Sequence, residues 1–312
     1  MKKALIIGAA GFIGTYLTQR LQKHMDLICI DNLVNGSLNR FKLVNPNSEL
    51  IRKDICQLSI SELPNLDYVF DLSYINGTHQ FYTRGSEILQ CAALNVTAAI
   101  NIAKAKKARL IYFSTPEVFG EVTTIPTPEN TPFQIPDITN PRWSYSIGKI
   151  YSESLLHNTK ISDPDFDFNI VRPNNAYGPY DRYHVIPDLM QLISHENDIL
   201  EVKGDPKSTR SYCFVNDMIE QIYSVATKAP VGETYNLGNA TETSLLELVD
   251  NVLLVNGKPK KVTFTEAPRG SPMRRAPCTK KIDKLCYLTK TSLVEGLTKI
   301  LKANEYDPYE NF

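Results

Sequence analysis

A tyrosine and a lysine four residues apart, Tyr145 and Lys149, are the residues whose types and spacing most directly suggest chemistry in this chain. On a helix, side chains at i and i+4 share one face, so the lysine ammonium can lie near the phenol. A free phenol has a pKa of about 10 and is a poor base at neutral pH, but a neighbouring cation favours the phenolate. The pair therefore predicts a tyrosine that accepts a proton during hydride transfer, although a chain with 16 tyrosines can show this spacing by accident.

Three glycines, Gly8, Gly11 and Gly14, follow a short apolar segment near the start of the chain and precede a helical pattern. In that setting the glycines let the backbone approach a pyrophosphate, while the helix N-terminus offers free N–H groups and the positive end of its dipole. Phe12 and Ile13 lie within the same turn and belong to the predicted cofactor site. The alternative is an ordinary tight turn, which the glycine spacing alone does not exclude.

Residues after the next apolar segments suggest how a dinucleotide would be held. Asp31 ends the second predicted strand, where a carboxylate accepts hydrogen bonds from ribose hydroxyls and repels a 2′-phosphate, so NAD is favoured over NADP. Asn32 follows it directly. Asp54 and Ile55 come after a third strand region at 49–52, where Asp54 either contacts the adenine or caps a helix. These four residues complete the cofactor site on the adenosine side.

Polar residues also follow apolar strands nearer the middle of the chain. Thr115 and Glu117 come directly after the strand at 110–113, so they fall at the carboxyl end of a parallel sheet, where ligands bind. Thr115 is a candidate for a hydrogen bond to a sugar hydroxyl and Glu117 for an acid or base; the alternatives are a strand-end turn and a helix-dipole partner. Leu72 and Ser73 end an earlier apolar strand and are placed beside the cofactor.

Candidate contacts to the substrate lie in the second half of the chain. Asn175 is in a polar loop after the strand at 168–171, and Val185 follows that loop. Arg210 and Arg275 carry planar guanidinium groups that suit a diphosphate, and the alternative for each is a solvated surface arginine. Because Lys plus Arg and Asp plus Glu are both 34, an anionic ligand must be held by such local groups.

Composition argues against several classes of protein. The 312 residues carry no net charge, so nothing favours a nucleic acid or an acidic membrane surface as a partner. The sequence shows neither a run of 18 apolar residues nor a leader with a cleavage site, which predicts a cytoplasmic protein. Six cysteines stand singly without a CxxC pair, which predicts free thiols rather than disulfides or a zinc site, and no metal site is expected.

Apolar strands alternate with helical patterns through the first half of the chain, which predicts a mostly parallel sheet. The expected fold class is α/β, a Rossmann-type doubly wound parallel sheet with a smaller C-terminal α/β substrate-binding domain. Residues 1–175 are assigned to an NAD-binding Rossmann domain that the chain rejoins at about 212–235, and residues 176–312 mainly to the substrate domain. The strands behind this assignment are 3–7, 27–30, 68–72, 110–113 and 168–171, with helices at 12–23, 87–106 and 145–157.

Taken in order, these motifs resemble the extended short-chain dehydrogenase/reductase superfamily, and within it the NAD-dependent nucleotide-sugar epimerases, dehydratases and decarboxylases. The resemblance rests on seven motifs spread over nearly the whole chain: GxxGxxG at 8–14, Asp31, STPEVFG at 114–120, YSIGK at 145–149, RPNNAYGP at 172–179, TRSYCFVND at 209–217 and PRGSPMRR at 268–275. Each motif is modest alone, and their order makes the resemblance specific.

The resemblance implies roles for several of these residues. It implies tightly held NAD and a catalytic set of Thr115, Tyr145 and Lys149, in which Tyr145 deprotonates the sugar C4 hydroxyl while hydride passes to the nicotinamide. It also implies a homodimer joined by a four-helix bundle of the helices near 87–106 and 145–157. The implied contacts to the nucleoside diphosphate are Asn175, Arg210 and Arg275.

Departures from the family pattern narrow the chemistry. Pro116 stands where the 4,6-dehydratases have an acid after the catalytic threonine, so elimination of water is less expected. Glu117 resembles the glutamate of the decarboxylases in the same loop. Tyr74 is bulky for a position beside the nicotinamide and sugar, which suggests an unusual substrate or altered cofactor access. Gly148 replaces the serine that is common before the lysine.

The expected function is therefore NAD-dependent oxidation of a nucleotide-activated sugar at C4, as in an epimerase or a 4-dehydrogenase. One alternative is a UDP-glucuronate decarboxylase-like enzyme that uses Glu117. An alternative of another class is a non-catalytic NAD-binding regulatory protein, against which the intact tyrosine, lysine and threonine set argues. The nucleoside and the sugar stay open, and a role in microbial surface polysaccharide synthesis is suggested by the resemblance alone.

Overall fold

The computed structural model describes residues 1–182, 184–194, 198–267, 271–288 and 290–304. The strands are β1 (Lys2–Ile7), β2 (Met25–Asp31), β3 (Ile51–Arg52), β4 (Tyr68–Asp71), β5 (Arg109–Phe113), β6 (Phe168–Pro173), β7 (Ala176–Tyr177), β8 (Ile199–Lys203), β9 (Thr209–Ser211), β10 (Cys213–Phe214), β11 (Thr234–Leu237), β12 (Glu242–Ser244), β13 (Lys261–Thr265) and β14 (Arg274–Arg275). Seven of them form one parallel sheet in the order β11-β6-β5-β4-β1-β2-β3.

Helices cover both faces of this sheet. α1 and α7 pack together on one face, and α4 and α5 pack together on the other. The helices are α1 (Phe12–Leu21), α2 (Leu38–Val44), α3 (Thr78–Thr83), α4 (Gly85–Lys106), α5 (Ser144–Ser162), α6 (Val185–Ser194), α7 (Val215–Lys228), α8 (Leu245–Asn256), α9 (Lys280–Leu285) and α10 (Leu293–Asn304).

The first strand shows why the sheet has to be covered on both sides. Successive side chains of a strand point to opposite faces. In β1, Ala4 and Ile6 enter the core under α1 and α7, whereas Leu5 and Ile7 enter the core under α4 and α5. All four are at most 2% exposed. A run without alternating polar residues is typical of a strand buried on both faces of a parallel sheet.

The sheet reverses its order at β1, which lies between β2 and β4. The connection that leaves β1 turns to one side of the sheet, and the connection into β4 goes to the other side. In doubly wound sheets, a crevice opens at the carboxyl ends of the strands at such a switch point, and ligands bind there. The predicted α/β fold class is confirmed, and the glycine turn after β1 lies at this crevice.

The C-terminal part adds a smaller layer beside the carboxyl ends of the sheet. Its small sheets pair β8 with β13 and β9 with β12 and β14, and α6, α8 and α10 enclose a separate hydrophobic core. The chain returns to the large sheet on the way: α7 packs against α1, and β11 extends the sheet beside β6.

A buried ion pair fixes α5 against the end of the sheet. Arg172 at the end of β6 donates two hydrogen bonds to Glu153 of α5, at 2.6 and 2.9 Å, and Ser114 donates a third. Arg172 and Glu153 are 3% and 4% exposed. Removing one partner of a buried pair of this kind costs roughly 3–5 kcal/mol. The pair therefore holds the helix that carries Tyr145 in a fixed place above β5 and β6.

One helix of the described chain, α4, is long and apolar enough to cross a membrane by length and composition alone. Its residues Val96, Ile100 and Ile102 are buried in the core under α5 and the sheet. A core helix meets the same criterion, so this feature carries no argument for a membrane. The cytoplasmic location stays a prediction.

Four helices were not predicted from the sequence, namely α2, α3, α6 and α9. α3 is six residues long and begins after Gly77, in a polar stretch without helical periodicity. α6 follows a loop with several charged residues. The predicted helices and strands all appear, with ends that differ by a few residues. The six cysteines are free thiols.

Candidate active site

The glycine turn after β1 leaves no room for side chains. Gly8 has φ +82°, and a Cβ atom there would lie 2.9 Å from the carbonyl oxygen of Leu72. A Cβ atom on Gly14 would lie 2.2 Å from the carbonyl oxygen of Gly8. Helix α1 begins directly after Gly11, with no side-chain cap on its first N–H groups. The turn therefore presents a close backbone and open amides, which suit a phosphate group.

The carboxylate of Asp31 lies against the same turn. It accepts hydrogen bonds from the backbone N–H groups of Ala10 at 2.9 Å and Leu33 at 2.7 Å, and it is 7% exposed. Burial raises the pKa of Asp31, and these two hydrogen bonds lower it in part. The aspartate is thus fixed at the end of β2, as the prediction of a ribose contact requires.

Asp54 serves as a helix cap, which was one of its two predicted roles. Its carboxylate accepts from the N–H of Cys56 at 2.9 Å at the start of a short 3₁₀ helix, and from the amide of Asn32 at 2.9 Å. Ile55, the next residue, is buried in the core. A contact of Asp54 to adenine stays a prediction.

A cavity of about 440 Å³ runs from the glycine turn along the carboxyl ends of the strands. Most of the predicted site residues line it: Gly8, Gly11, Phe12, Ile13, Gly14, Leu72, Thr115, Glu117, Tyr145, Lys149, Asn175, Arg210 and Arg275. Others lie outside its lining, namely Asp31, Asn32, Asp54, Ile55, Ser73 and Val185. Val185 instead packs against the hydrophobic core of the C-terminal part.

Tyr145 lies in an aromatic cage beside this cavity. The ring of Phe81 stacks on it with centroids 4.9 Å apart, and the ring of Tyr74 meets it edge-on at 5.1 Å. Tyr145 is 7% exposed. Burial raises its pKa and the charge of Glu117 raises it further, whereas a hydrogen bond with Thr115 lowers it. The free protein therefore holds a neutral phenol at neutral pH.

The ammonium of Lys149 points towards β5. Its Nζ atom donates to the carbonyl of Phe113 at 2.6 Å and to the hydroxyl of Tyr112 at 3.1 Å. The spacing predicted that the ammonium lies beside the phenol of Tyr145. Its hydrogen bonds go instead to these two acceptors on β5, because a buried ammonium requires acceptors. Burial lowers the pKa of Lys149 to about 8, against the opposing charge of Asp71.

Glu117 is held by two arginines. Both of its carboxylate oxygens accept from Arg142, at 2.9 and 3.0 Å, and one accepts from Arg275. The two guanidinium charges outweigh the opposing effect of burial and lower the pKa of Glu117 to about 2. The glutamate is therefore ionised at neutral pH and has no proton to give as an acid.

The same cluster leaves guanidinium groups with unused donors. Nη1 of Arg142 and Nη2 of Arg275 are buried and make no hydrogen bond within the described part of the chain. Arg142 also lies over the ring of Phe81, 5.1 Å from its centroid. Two arginines and one glutamate carry a net positive charge next to the aromatic cage, which suits an anionic group on a ligand.

Several cavity residues were not predicted from the sequence. Arg40 of α2 donates to the carbonyl of Ala10 at 2.6 Å and thereby lies at the glycine turn. His184, which was given no role, also lines the cavity, and its ring bonds to Asp181 at 2.8 Å. Each is a single polar side chain outside the motifs, Arg40 on α2 and His184 just before α6, so their spacing gave no signal. Within the PRGSPMRR motif, residues 268–270 lie outside the described residues.

A glycine turn at the switch point of a doubly wound sheet, beside a buried tyrosine and lysine, is the arrangement of dinucleotide-dependent enzymes of the short-chain dehydrogenase/reductase class. Comparison with protein families gives a narrower result. The NAD dependent epimerase/dehydratase family matches residues 4–238, so the chain belongs to that family. Its cofactor is therefore NAD, and the resemblance seen in the motifs is confirmed.

Curated relatives align over almost the whole chain. UDP-N-acetyl-alpha-D-glucosaminuronate decarboxylase of Bacillus cytotoxicus is 28% identical over 316 residues, covering 96% of this chain and 97% of its own. UDP-glucuronic acid decarboxylase 4 of Arabidopsis thaliana is 28% identical over 309 residues, covering 96% of this chain and 68% of its own. Among solved structures, UDP-glucuronic acid 4-epimerase from Bacillus cereus is 24% identical, with a TM-score of 0.87 over 97% of this chain and 99% of its own, and it shows the shared fold.

Proposed function

We propose that this protein oxidises the sugar of a UDP-sugar at C4. NAD supplies the hydride acceptor when it is bound. Tyr145 accepts the proton of the C4 hydroxyl, with Thr115 as a hydrogen-bond partner of the same hydroxyl. Lys149, held by Tyr112 and Phe113, keeps a positive charge under the reacting groups. The observation that carries the proposal is the buried Tyr145 at the cavity wall, within hydrogen-bond reach of Thr115.

The residues proposed to hold NAD are those of the glycine turn and its surroundings. The open amides at the start of α1 would bind the pyrophosphate, and Asp31 the adenosine ribose, with its charge disfavouring NADP. The large sheet, residues 1–175 with 212–235, would form the NAD domain, and 176–312 mainly the sugar-nucleotide domain. The remaining proposed cofactor contacts are Phe12, Ile13, Asn32, Asp54, Ile55, Leu72 and Ser73.

The arginine cluster indicates the kind of sugar. Arg142 and Arg275 lie beside Tyr145, because Arg142 covers the ring of Phe81 that stacks on it. We propose that their unused donors serve the reacting end of the ligand. This differs from the diphosphate contact that the resemblance implied for Arg275, and Arg210 and Asn175 stay the proposed diphosphate contacts. A carboxylate on C5 of the sugar would satisfy those donors and balance the net charge. We therefore propose a UDP-uronate as the substrate.

The outcome after oxidation separates two candidates. Oxidation of a uronate at C4 gives a β-keto acid, which loses carbon dioxide when its carboxylate electrons can flow into the ketone. Hydrogen bonds from Arg142 and Arg275 would stabilise the ionised carboxylate and so oppose the loss of carbon dioxide. This favours return of the hydride to C4, which is the reaction of a 4-epimerase. The decarboxylase is the second candidate, favoured by Glu117 and by the named activities of the two curated relatives. Loss of water is not favoured, because Glu117 holds no proton at neutral pH.

Product analysis tests this proposal. The purified protein is incubated with NAD and UDP-glucuronate, UDP-N-acetylglucosaminuronate, UDP-glucose or UDP-N-acetylglucosamine, and products are analysed by mass spectrometry and chromatography. We expect a uronate to be converted at unchanged mass to its C4 epimer. Loss of carbon dioxide would establish the decarboxylase instead, and loss of two hydrogens a 4-dehydrogenase. Conversion of the neutral sugars alone would contradict the proposed uronate.

Arg275→Met is expected to lower kcat/KM for the uronate by roughly 10- to 100-fold. This loss corresponds to one hydrogen bond between charged groups, which contributes about 1.5–3 kcal/mol. The matched control is Arg274→Met, which removes a more exposed neighbouring arginine that pairs with Glu242. The control should keep kcat/KM within about twofold of the wild-type value. Equal losses in both variants would show that Arg275 has no specific role.

We further propose a homodimer joined through α4 and α5. These helices pack on each other, and their outer faces expose large apolar side chains: Leu89, Leu94, Tyr151 and Ile161. Large exposed apolar groups on two helices that pack side by side are consistent with an interaction surface. A second copy would complete a four-helix bundle over this face.

Sedimentation velocity tests the dimer. The wild-type protein is expected to sediment as a dimer at micromolar concentration, and Leu94→Glu to raise the dimer dissociation constant at least about tenfold, because a buried carboxylate without a partner is costly. The control is Leu254→Glu on α8, which is 71% exposed and lies away from this face. A wild-type monomer at these concentrations would rule out the proposed dimer.

A further inference from the structure

Tyr74 makes contacts that the family pattern does not anticipate. Its ring lies over the ammonium of Lys149, with Nζ 4.0 Å from the ring centroid. The edge of the same ring meets Tyr145, with centroids 5.1 Å apart and planes at 75°. One side chain thus touches both members of the pair to which catalysis is assigned. It reaches them from the segment that follows β4, at the position where the sequence analysis noted an unusually bulky residue.

Gly148 provides the space for Tyr74. A Cβ atom at position 148 would lie 2.1 Å from the Tyr74 hydroxyl oxygen and 2.9 Å from Cβ of Ala92 on α4. The bulky tyrosine and the missing side chain therefore fit each other, as a ring in a notch on α5. A serine at 148 would be incompatible with Tyr74 in this position, so the two departures seen in the sequence form one feature.

The ring of Tyr74, rather than its hydroxyl, carries the contact. The hydroxyl is buried and has no hydrogen-bond partner among the residues that the structure describes. Burial also raises the pKa of Tyr74, so this hydroxyl stays neutral and does not compete as a base. The face of an aromatic ring attracts a cation, and the attraction is strongest where water is excluded. Lys149, at 2% exposed, is such a desolvated cation.

We propose that Tyr74 is a positioning residue that holds the charged ammonium of Lys149 against β5 through its ring, while its edge fixes the orientation of Tyr145. The ring of Tyr74 lies on one side of Lys149 Nζ, and Tyr112 and the carbonyl of Phe113 lie on another. Its importance for turnover rests on the proposed function. Its effect on Lys149 does not, because it acts in the protein without substrate.

Other charged and titratable groups also act on Lys149. Burial lowers the lysine pKa to about 8, whereas the charges of Asp71, Cys91 and Glu153 raise it. The groups that face Nζ from the surrounding elements are Asp71 on β4, Tyr74 after β4, Cys91 on α4, Tyr112 on β5, and Tyr145 and Glu153 on α5. A test must therefore weaken the ring contact without changing burial or any of these charges.

Fluorination of an aromatic ring meets this requirement. Phenylalanine, 4-fluorophenylalanine, difluorophenylalanine and trifluorophenylalanine are introduced in turn at position 74, which keeps the shape of the ring while its negative face weakens. The Lys149 pKa is followed by NMR in protein with isotope-labelled lysine, and the signal is assigned with Lys149→Arg. Phenylalanine should keep the wild-type pKa. The fluorinated series should lower it stepwise, by roughly one unit in total, because the charged form loses stabilisation.

A matched control introduces the same fluorinated series at Phe41, which is buried in the core under α1. It should leave the Lys149 pKa unchanged. A Lys149 pKa that is the same with every ring at position 74, or that falls equally with fluorination at Phe41, would overturn the proposal. If the pKa falls as expected but no UDP-sugar is converted, the positioning role holds and the proposed function fails.

A second measurement examines the fit between Tyr74 and Gly148. Gly148→Ser should lower the midpoint of thermal unfolding by more in the wild-type background than in a Tyr74→Ala background, where the serine side chain has the space of the missing ring. An equal loss in the two backgrounds would show that the two positions are not coupled. This measurement needs neither substrate nor labelled protein.

Discussion

Replacing Tyr145 with phenylalanine is expected to lower turnover of the UDP-sugar by about a thousandfold, because a positioned general base contributes typically 10²- to 10⁴-fold. The phenyl ring keeps its stacking on Phe81 and its contact with Tyr74, so the fold and the cavity are retained. Only the oxygen that is proposed to accept the C4 proton is lost. Turnover is measured by product formation, and NAD affinity by titration, which should stay within about twofold of the wild-type value.

The matched control for this experiment is Tyr287→Phe, which removes a hydroxyl from a tyrosine that is 97% exposed and outside the cavity of the active site. It should turn over substrate as the wild type does. Wild-type turnover in Tyr145→Phe would sink the catalytic assignment. If no variant and no wild-type preparation converts any UDP-sugar although all bind NAD, the non-catalytic NAD-binding protein becomes the better explanation.

The pKa of Tyr145 also sets an expectation for this base. In the free protein, burial and the charge of Glu117 raise that pKa, so the phenol form prevails at neutral pH. A raised pKa means that the base form is gained only as the pH rises. An oxidised nicotinamide bound beside Tyr145 would oppose the shift, so we expect the phenolate to become accessible in the complex rather than in the free protein.

The parts of the site that follow local pattern could be predicted from the sequence. The turn after β1 could be predicted from Gly8, Gly11 and Gly14, because glycine is required where the backbone folds tightly beside a helix start. Tyr145 and Lys149 fall on one face of α5 because the helical period places them there. The parallel sheet follows from the alternation of short apolar strands with helices.

The parts that depend on distant contacts could not be predicted. Glu117 meets Arg142, 25 residues away, and Arg275, 158 residues away. No local pattern connects these positions, so the pairing of this glutamate with two arginines could not be predicted, and its role as a base stays a prediction. The direction of the Lys149 ammonium could not be predicted for the same reason, because it depends on hydrogen-bond acceptors of β5, which is distant in sequence. The sequence marked Tyr74 and Gly148 as unusual but gave no sign that they touch.

Substitution of Gly14 by alanine is the second change with a large expected effect. The new Cβ atom would lie 2.2 Å from the carbonyl oxygen of Gly8 and 3.0 Å from Cα of Ala9. Both are backbone atoms, so the turn itself must move. The N–H groups at the start of α1 then no longer point together at one phosphate. Loss of two charge-assisted hydrogen bonds to a pyrophosphate, at about 1.5–3 kcal/mol each, weakens NAD binding by at least about a hundredfold.

Isothermal titration with NAD checks this expectation, with circular dichroism to confirm that the variant is folded. Gly85→Ala is the matched control, since its Cβ atom would lie 3.6 Å from Ser144, an ordinary contact at the start of α4. Should Gly14→Ala fail to fold, Gly11→Ala gives the milder test, with a Cβ atom 3.1 Å from the Gly8 oxygen. Undiminished NAD affinity in the folded variant would mean that the cofactor lies elsewhere than on the glycine turn, because no pyrophosphate could follow a displaced backbone without loss.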